Sequence, residues 1–330
     1  MAAAGLTLAT AFAFSARLWW AFDLFSHFRL QYALLGAALC LGALALRAWP
    51  IAAVLAVIAL VHGWAMKDLW LGDSAAAASE APRLRIASAN VLSSNPEPQK
   101  LLDFVHASDA DVLVLVEARG ERWRDVLAAI AADYPHRAPQ RWQNGGPVIL
   151  FSRHPVVRES VIASPAGRRP YLAAELALGE HTLTVVGVHP SSPSPRRPIE
   201  TRWRNLQLAY LANLIEDARG PVVIAGDFNT TPWSPSFREL VATAGLRNAA
   251  DGHGYIGTWP SWFWPAQIPI DHVLVKGLVA VADIRRGSSI GSDHYPIVAD
   301  LQLLATQPAG SSTRVSNRDL AAPPTVAAGF

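Results

Sequence analysis

The apolar stretch at the amino terminus restricts the fold of this chain more than any other feature. Leu30 to Leu46 is an uncharged apolar run, and Ala48 to Met66 is a second one. Each run approaches the length of about 20 residues that a helix needs to cross the hydrocarbon core of a bilayer. Between them, Arg47 to Pro50 has the composition of a tight turn, with a proline where a new helix tolerates it. The sequence therefore predicts a helical hairpin in a membrane.

The residues before this hairpin allow two interpretations. Ala2 to Phe14 is apolar, whereas Arg17 and Asp23 interrupt the segment that follows. A signal peptide would explain an apolar start, but the basic residues that open such a peptide are missing, and further apolar runs follow directly. We therefore predict a membrane anchor over residues 1–70 that contains three transmembrane helices.

The charges beside these segments predict an orientation. Basic residues on short loops favour the cytoplasmic side of a membrane. Arg47 would then place the amino terminus inside and everything after Lys67 outside, although His27 and Arg29 favour the reverse.

The rest of the chain divides into three parts. Residues 71–82 are rich in small residues and are predicted to be a linker. Residues 83–304 have ordinary globular composition and enough length for a large core. Residues 305–330 are rich in Ser, Pro and Ala without apolar periodicity, and we predict that this tail is disordered.

Two composition counts exclude classes of protein. The single cysteine, Cys40, rules out a disulfide within one chain and a zinc site built from cysteines. With 28 Lys plus Arg against 26 Asp plus Glu, the chain also lacks the strong basic excess that is usual for proteins that bind long nucleic acids.

Residues 83–304 alternate between strand-like and helix-like segments. Asp111 to Val116 is a short continuous apolar run, as expected for a buried strand, and Pro221 to Ala225 is another. Pro198 to Ala218 is a long amphipathic segment, which predicts a helix. This order predicts an α/β domain in which two packed sheets carry helices on their outer faces.

Polar residues stand at the ends of several predicted strands. Burying such groups without partners costs roughly 2 to 7 kcal/mol for neutral groups. Each one alone has an ordinary explanation as a turn residue or a strand-end cap, but the whole set is hard to explain in that way. The set comprises Asn90, Glu117, His189, Asp227, Asn229, Asp271, Asp293 and His294.

The residue types in this set fit a metal-dependent reaction. Mg²⁺ prefers oxygen ligands, and Glu117, Asp293 and Asn90 could supply them. A histidine oriented by a carboxylate can act as a general base near neutral pH, a role that His294 and Asp271 could fill.

The segment Gly226 to Asn229 adds a further pair of polar groups. Asp227 and Asn229 are two residues apart, so in an extended segment they share one face. They could hold the attacking water together.

In this order the motifs resemble the endonuclease/exonuclease/phosphatase superfamily, and the resemblance covers about residues 83–304. The segments that carry it are SANVL, LVEA, GVHP, AGDFNTTP, PIDHVLV and GSDHYPIVADL. The resemblance implies a four-layer α/β sandwich of two packed mixed sheets flanked by helices. An apolar region before such a domain is also similar to bacterial membrane-anchored members of the superfamily. We therefore predict a bacterial inner-membrane protein, with the catalytic domain on the periplasmic side that the charge of Arg47 favours.

The resemblance also implies roles for the polar set. Glu117 would centre a Mg²⁺ or Mn²⁺ site, assisted by Asn90 and Asp293, and His189 would contact the phosphate or the leaving group. Asp227 and Asn229 would position the water or the phosphate, while Asp271 and His294 would form the carboxylate–histidine pair.

The resemblance implies a membrane-anchored phosphoester hydrolase of the phosphodiesterase or nuclease type. A phosphatase, a phosphodiesterase for phospholipid headgroups, and a non-catalytic membrane receptor for a phosphorylated ligand remain alternatives. The substrate could be a nucleic acid, a phospholipid or a small phosphoester, and the sequence does not determine the oligomeric state.

Two further segments have open interpretations. Arg196 and Arg197 follow His189 closely, and arginine suits phosphate recognition, although most surface arginines are only solvated. Thr258 to Pro265 holds three tryptophans, which could stack on bases, enter a membrane interface or pack on the domain itself.

Overall fold

A computed structural model describes residues 1–72, 82–139, 148–165 and 169–304. The predicted tail of residues 305–330 and most of the predicted linker of residues 71–82 lie outside the described residues.

The amino-terminal region forms five helices. They are α1 (Ala2–Phe14), α2 (Trp20–Ser26), α3 (Arg29–Ala45), α4 (Trp49–Ala65) and α5 (Asp68–Leu71). The two predicted apolar runs correspond to α3 and α4, which pack against each other as a hairpin. Arg47 turns the chain between them with a positive φ of 57°.

The lengths of these helices differ from the predicted ones. Among the described residues, no single helix has both the length and the hydropathy of a bilayer span. Helices α2 and α3 meet both criteria as a pair, but a bend of 62° separates them.

The remaining chain forms two six-stranded sheets. The first has the strand order β11-β12-β1-β2-β4-β3, in which β1 and β2 are parallel. Its strands are β1 (Arg83–Asn90), β2 (Val112–Val116), β3 (His136–Ala138), β4 (Val148–Ser152), β11 (Val279–Arg286) and β12 (Ile297–Leu303).

The second sheet has the order β5-β6-β7-β8-β10-β9, in which β7 and β8 are parallel. Its strands are β5 (Val156–Ile162), β6 (Tyr171–Leu178), β7 (His181–Val188), β8 (Val222–Asp227), β9 (Arg247–Asn248) and β10 (Asp271–Lys276). Each sheet also contains antiparallel pairs, so both sheets are mixed, as predicted.

Three apolar cores separate four layers. One core lies between the sheets and joins Val114 of β2 to Val185 of β7. A second core packs the outer face of the first sheet against α6 (Lys100–Ser108) and α7 (Arg124–Asp133). The third packs the outer face of the second sheet against α8 (Pro198–Glu216) and α9 (Pro235–Ala244). The predicted α/β sandwich is confirmed.

Short elements depart from the sequence-based prediction. Helix α7 begins only at Arg124, after Gly120 with a φ of 89° and a 3-10 turn over Glu121–Trp123. Strand β3 has three residues and strand β9 has two. They were not predicted, because segments this short cannot show the alternation of apolar and polar residues that indicates a strand.

The topology brings the ends of six strands to one edge of the sandwich. Parallel neighbours β1 and β2 share their carboxyl end, and so do β7 and β8. Strand β12 runs antiparallel to β1, and β10 runs antiparallel to β8, so the first residues of β10 and β12 reach the same edge. In the second sheet, Asp271 lies directly opposite Asp227.

The amino-terminal helices pack against one side of this edge. Helix α2 contacts α8. Met66 and Leu69, at the end of the helical region, form a small apolar cluster with Trp233, which follows β8.

Candidate active site

Asp227 lies at the centre of the polar residues that the topology collects. Its Oδ2 accepts a hydrogen bond from Asn90 Nδ2 at 3.0 Å, and its Oδ1 accepts one from the backbone N–H of Asn229 at 2.8 Å. The same Oδ2 lies 3.6 Å from His189 Nε2 and 3.8 Å from His294 Nε2. Four of the predicted site residues therefore surround the buried carboxylate of the fifth, Asp227.

The backbone around Asp227 explains why this loop has its sequence. A side chain at Gly226 would place its Cβ 2.0 Å from the carbonyl oxygen of Val188, so only glycine fits there. Asn229 has a φ of 53°, a conformation that asparagine tolerates better than most residues. Its Nδ2 donates to the carbonyl of Pro190 at 3.1 Å, which fixes the loop against the end of β7.

Glu117 leaves β2 with a φ of 66°, an unusual value for a residue with a side chain. Its Oε1 lies 3.4 Å from Asn90 Nδ2 and 3.5 Å from His189 Nε2, and Ser93 Oγ donates to its Oε2 at 3.2 Å. These contacts are all long for a carboxylate, and 21% of the side chain is exposed. Glu117 keeps capacity for a further ligand.

His294 and Asp271 form the predicted pair. His294 Nδ1 lies 2.9 Å from Asp271 Oδ2, and both side chains are buried. Burial lowers the pKa of His294, but the charges of Asp271 and Asp227 outweigh this effect and raise its pKa to about 10. With these charges alone, His294 carries a proton at neutral pH.

Burial also shifts the pKa values of the neighbouring groups. It raises the pKa of Asp227, an effect that the charge on Asp271 reinforces and the charge on His294 opposes. Burial and then the charge on Arg169 lower the pKa of His189 well below its usual range, so His189 is neutral. The site thus holds one protonated and one neutral histidine.

Arg169 belongs to this cluster, although no motif selected it. Its Nη1 lies 2.7 Å from His189 Nε2. Burial lowers the pKa of Arg169, and the charges on Asp227 and Glu117 oppose that shift. The sequence offered several arginines between β5 and α8 without a spacing that distinguished this one.

The other predicted site residues lie farther from the centre. Asp293 adjoins His294, and its Oδ2 accepts from Trp259 Nε1 at 3.2 Å. Arg196 and Arg197 are exposed, and within the described part of the chain neither makes a hydrogen bond or ion pair with the cluster. Their assignment to substrate binding stays a prediction.

The oxygen-rich composition of the cluster fits a hard divalent cation. Asp227, Asp271 and His294 offer ligand atoms within 4.8 Å of one another. Asp271 Oδ1 is buried with no hydrogen-bond partner among the described residues, while its Oδ2 orients His294. Glu117 offers two oxygens that make only long contacts and are partly exposed, whereas Asp271 offers one buried oxygen.

Comparison with other sequences identifies the relatives of this chain. A sequence model of the endonuclease/exonuclease/phosphatase family matches residues 87–294. A UPF0294 protein from Vibrio parahaemolyticus is 29% identical over 133 residues, which are 40% of this chain and 44% of that protein. The match thus spans less than half the length of this curated relative.

Solved structures share the fold at low sequence identity. Sphingomyelinase C from Streptomyces griseocarneus has 20% identity and a TM-score of 0.50, over 66% of this chain and 99% of that chain. TDP2 from D. rerio, complexed with a single strand DNA product, has 17% identity and a TM-score of 0.55, over 67% and 99% of the two chains. A mutant beta toxin from Staphylococcus aureus with bound magnesium ions has 17% identity and a TM-score of 0.51, over 66% and 98%.

At these low identities the three structures show only that the fold is shared. The family model is stronger evidence, because it matches most of both sheets and the polar edge between them. The chain belongs to the endonuclease/exonuclease/phosphatase family.

Proposed function

We propose that this protein is a hydrolase that cleaves phosphoesters with the help of Mg²⁺ or Mn²⁺. The observation that carries the proposal is the environment of Asp227, which is buried within 4 Å of Asn90, His189 and His294. The orientation of His294 by Asp271 supports the same conclusion.

Glu117 and Asn90 are the residues that would hold the metal ion, with Asp293 assisting. When bound, the ion would neutralise negative charge on the phosphoryl oxygens. Asp271 is a weaker candidate ligand, because one of its oxygens already binds His294. The magnesium ions in the beta toxin structure are consistent with this choice of metal.

The proposed reaction uses both ring nitrogens of His294. Its Nδ1 is held by Asp271, while its Nε2 faces Asp227 and is the atom that would accept a proton from the attacking water. Asp227 and Asn229 would position that water, and Arg169 would face the phosphate together with His189. Because the carboxylates raise the pKa of His294, its Nε2 already carries a proton at neutral pH. Positive charge near the carboxylates would lower this pKa and so allow Nε2 to accept a proton.

The test is turnover of a panel of phosphoesters by the full-length protein with Mg²⁺, Mn²⁺ or EDTA. We expect EDTA to abolish turnover and His294→Ala to reduce it by about 100-fold or more. Full turnover by His294→Ala in EDTA would contradict the proposal. Tight binding of a phosphorylated ligand by the wild type, without turnover under any metal, would favour the receptor alternative.

A phosphodiesterase acting on phospholipid headgroups is the second candidate. Trp262 and Trp264 belong to the loop from Thr258 to Pro265 and are exposed by 77% and 79%, so these side chains are not buried against their own domain. Ser261 of the same loop donates its N–H to the carbonyl of Asp293, which places the aromatic side chains near the site. TDP2 with its DNA product and sphingomyelinase C illustrate both substrate classes on this fold.

We further propose that residues 1–70 anchor the protein in the bacterial inner membrane, with the catalytic domain in the periplasm. Large apolar side chains on α3 and α4 support this, since Leu41 is exposed by 69% and Leu60 by 71%. Reporter fusions at residue 304 test the orientation. A reporter active only in the cytoplasm would contradict it, and extraction of the protein by alkaline carbonate would contradict the anchor.

A further inference from the structure

Helix α2 reaches the loop that follows β8 through a buried ion pair. Arg204 of α8 is fully buried, and its Nη2 donates to Asp23 Oδ2 of α2 at 2.5 Å. The Nη1 of the same guanidinium donates to the backbone carbonyl of Asn229 at 3.1 Å. One arginine therefore joins a carboxylate of the amino-terminal region to a candidate catalytic residue.

Two further contacts join the same partners. Ser234 occupies the N-cap position of α9, but its Oγ donates to Asp23 Oδ2 at 3.1 Å instead of capping the helix. His27 Nδ1 lies 3.0 Å from Thr231 Oγ1. The amino-terminal region thus contacts the loop directly at Thr231 and Ser234.

Asn229 needs external support because of its backbone conformation. Asparagine tolerates its positive φ better than most residues with a side chain, but the conformation still costs some energy, which the surrounding contacts offset. Its N–H and its side chain are bound by Asp227 and Pro190, and Arg204 is the donor to its carbonyl. Without Arg204, that carbonyl loses its ionic donor.

The ion pair keeps Arg204 in place. A buried guanidinium without its carboxylate is strongly unfavourable. Apart from Asp23, its described acceptors are the carbonyl of Asn229 and the side-chain oxygen of Asn205. Loss of the Asp23 charge would favour movement of Arg204 toward water and away from Asn229.

We propose that Asp23 is a positioning residue, which acts through Arg204 to hold Asn229 and the loop after β8 in the conformation that the reaction needs. The region before residue 73 is then part of the catalytic unit as well as an anchor. This inference rests on the proposed function for its effect on turnover, but the conformation of the loop can be measured without turnover.

The test compares Asp23→Asn with Asp68→Asn in the full-length protein. The control removes an exposed carboxylate from the same region, where it pairs with Lys67. For Asp23→Asn we expect a decrease in kcat of about 10- to 100-fold with little change in KM, since misplacement of a reacting group by about 1 Å can cost 100-fold. We also expect faster hydrogen exchange at the amides of residues 228–231, 233 and 234. The control should change neither quantity.

A double variant separates positioning from stability. Asp23→Leu with Arg204→Met replaces the buried ion pair by apolar side chains, an exchange that often preserves stability. It also removes the donor to the carbonyl of Asn229. We expect an unfolding temperature close to that of the wild type together with the low kcat of Asp23→Asn, whereas a stable double variant with wild-type kcat would overturn the proposal.

The exchange measurement distinguishes this proposal from the proposed function. If the wild type hydrolyses no phosphoester, the proposed function fails, and exchange alone decides whether Asp23 holds the loop. Unchanged exchange in Asp23→Asn overturns the positioning role, whatever the activity.

Discussion

At the scale of single residues, the site is defined by a surplus of carboxylates. Asp227, Asp271 and Glu117 converge on a space where His294 and Arg169 supply the positive charge. The negative charges of Asp271 and Asp227 raise the pKa of His294. Burial is the main cause of the raised pKa of Asp227, and the charge on Asp271 adds to it. A divalent cation relieves both effects.

Glu117→Gln tests this charge balance. The substitution keeps the shape of the side chain but removes one negative charge and weakens a metal ligand. We expect turnover to fall by about 100-fold or more, in the range seen when other contacts to a transition state are lost. Glu121→Gln is the matched control, because Glu121 is exposed and pairs only with Arg124 in the described structure. Equal activity of the two variants would contradict a metal site at Glu117.

Asp251 gives a prediction for stability against pH. Burial, and then the charge on Asp68, raise the pKa of Asp251 to about 6 from 3.8. The unfolded chain therefore loses this proton at a lower pH than the folded chain does. The free energy of unfolding falls between about pH 4 and pH 6 for this reason, and it stays lower above pH 6.

Asp251→Asn should consequently increase the free energy of unfolding above pH 6, by on the order of 1 kcal/mol after allowance for solvent screening. At pH 3.5 the carboxyl is largely protonated in both states, so the variant and the wild type should differ little in stability. Denaturant titrations at pH 3.5 and pH 7.5 measure both quantities. A gain that is equal at the two pH values would rule out this explanation.

At the scale of elements, strand ends fix the site. The neighbours β7 and β8 approach closely at their carboxyl ends because Gly226 has no side chain. Because these parallel strands are neighbours, Asp227 at the end of β8 and His189 directly after β7 lie side by side.

Gly226→Ala should separate these two strands. Its Cβ would lie 2.0 Å from the carbonyl oxygen of Val188, and its φ of 149° adds strain. We expect a loss of about 2–4 kcal/mol in the free energy of unfolding, measured by chemical denaturation. Gly245→Ala is the control, since Gly245 also has a positive φ but nothing within 4 Å of its added Cβ. That control should lose only about 1 kcal/mol.

The sequence predicted the elements whose pattern is local. The apolar run of β2 and the amphipathic face of α8 are visible without any knowledge of tertiary structure. The polar residues that end the strands include the ones that lie together around Asp227. Arg169 and Asp23 were not predicted as site residues, because their roles depend on contacts across the fold. Arg204 illustrates the limit, since an arginine on a predicted helix is usually solvated, whereas here it is fully buried.

At the scale of the whole molecule, the exposed aromatic loop lies on the same side as the amino-terminal helices. Gln31, in the first turns of α3, donates its Nε2 to the carbonyl of Gln267, which follows the loop. A membrane around α3 would therefore be close to Trp262 and Trp264.

Trp262→Ala with Trp264→Ala should separate lipid from soluble substrates. If the loop enters the membrane interface, we expect turnover of phosphoesters in vesicles to fall several-fold, whereas turnover of a small soluble phosphodiester should not change. An equal loss on both substrates would show that the loop supports the site itself. Steep dependence of wild-type turnover on salt would instead favour a nucleic acid substrate.

The contact between Asp23 and Arg204 also has a consequence for the order of folding. The two residues are 181 positions apart in the chain, so their pairing closes a very long loop. Such closure has a large entropic cost and is slow compared with local contacts. The first helices leave the ribosome well before α8, and we therefore expect the loop after β8 to reach its final conformation only after α8 has been made. A newly made chain would remain inactive until its first helices and its catalytic domain meet.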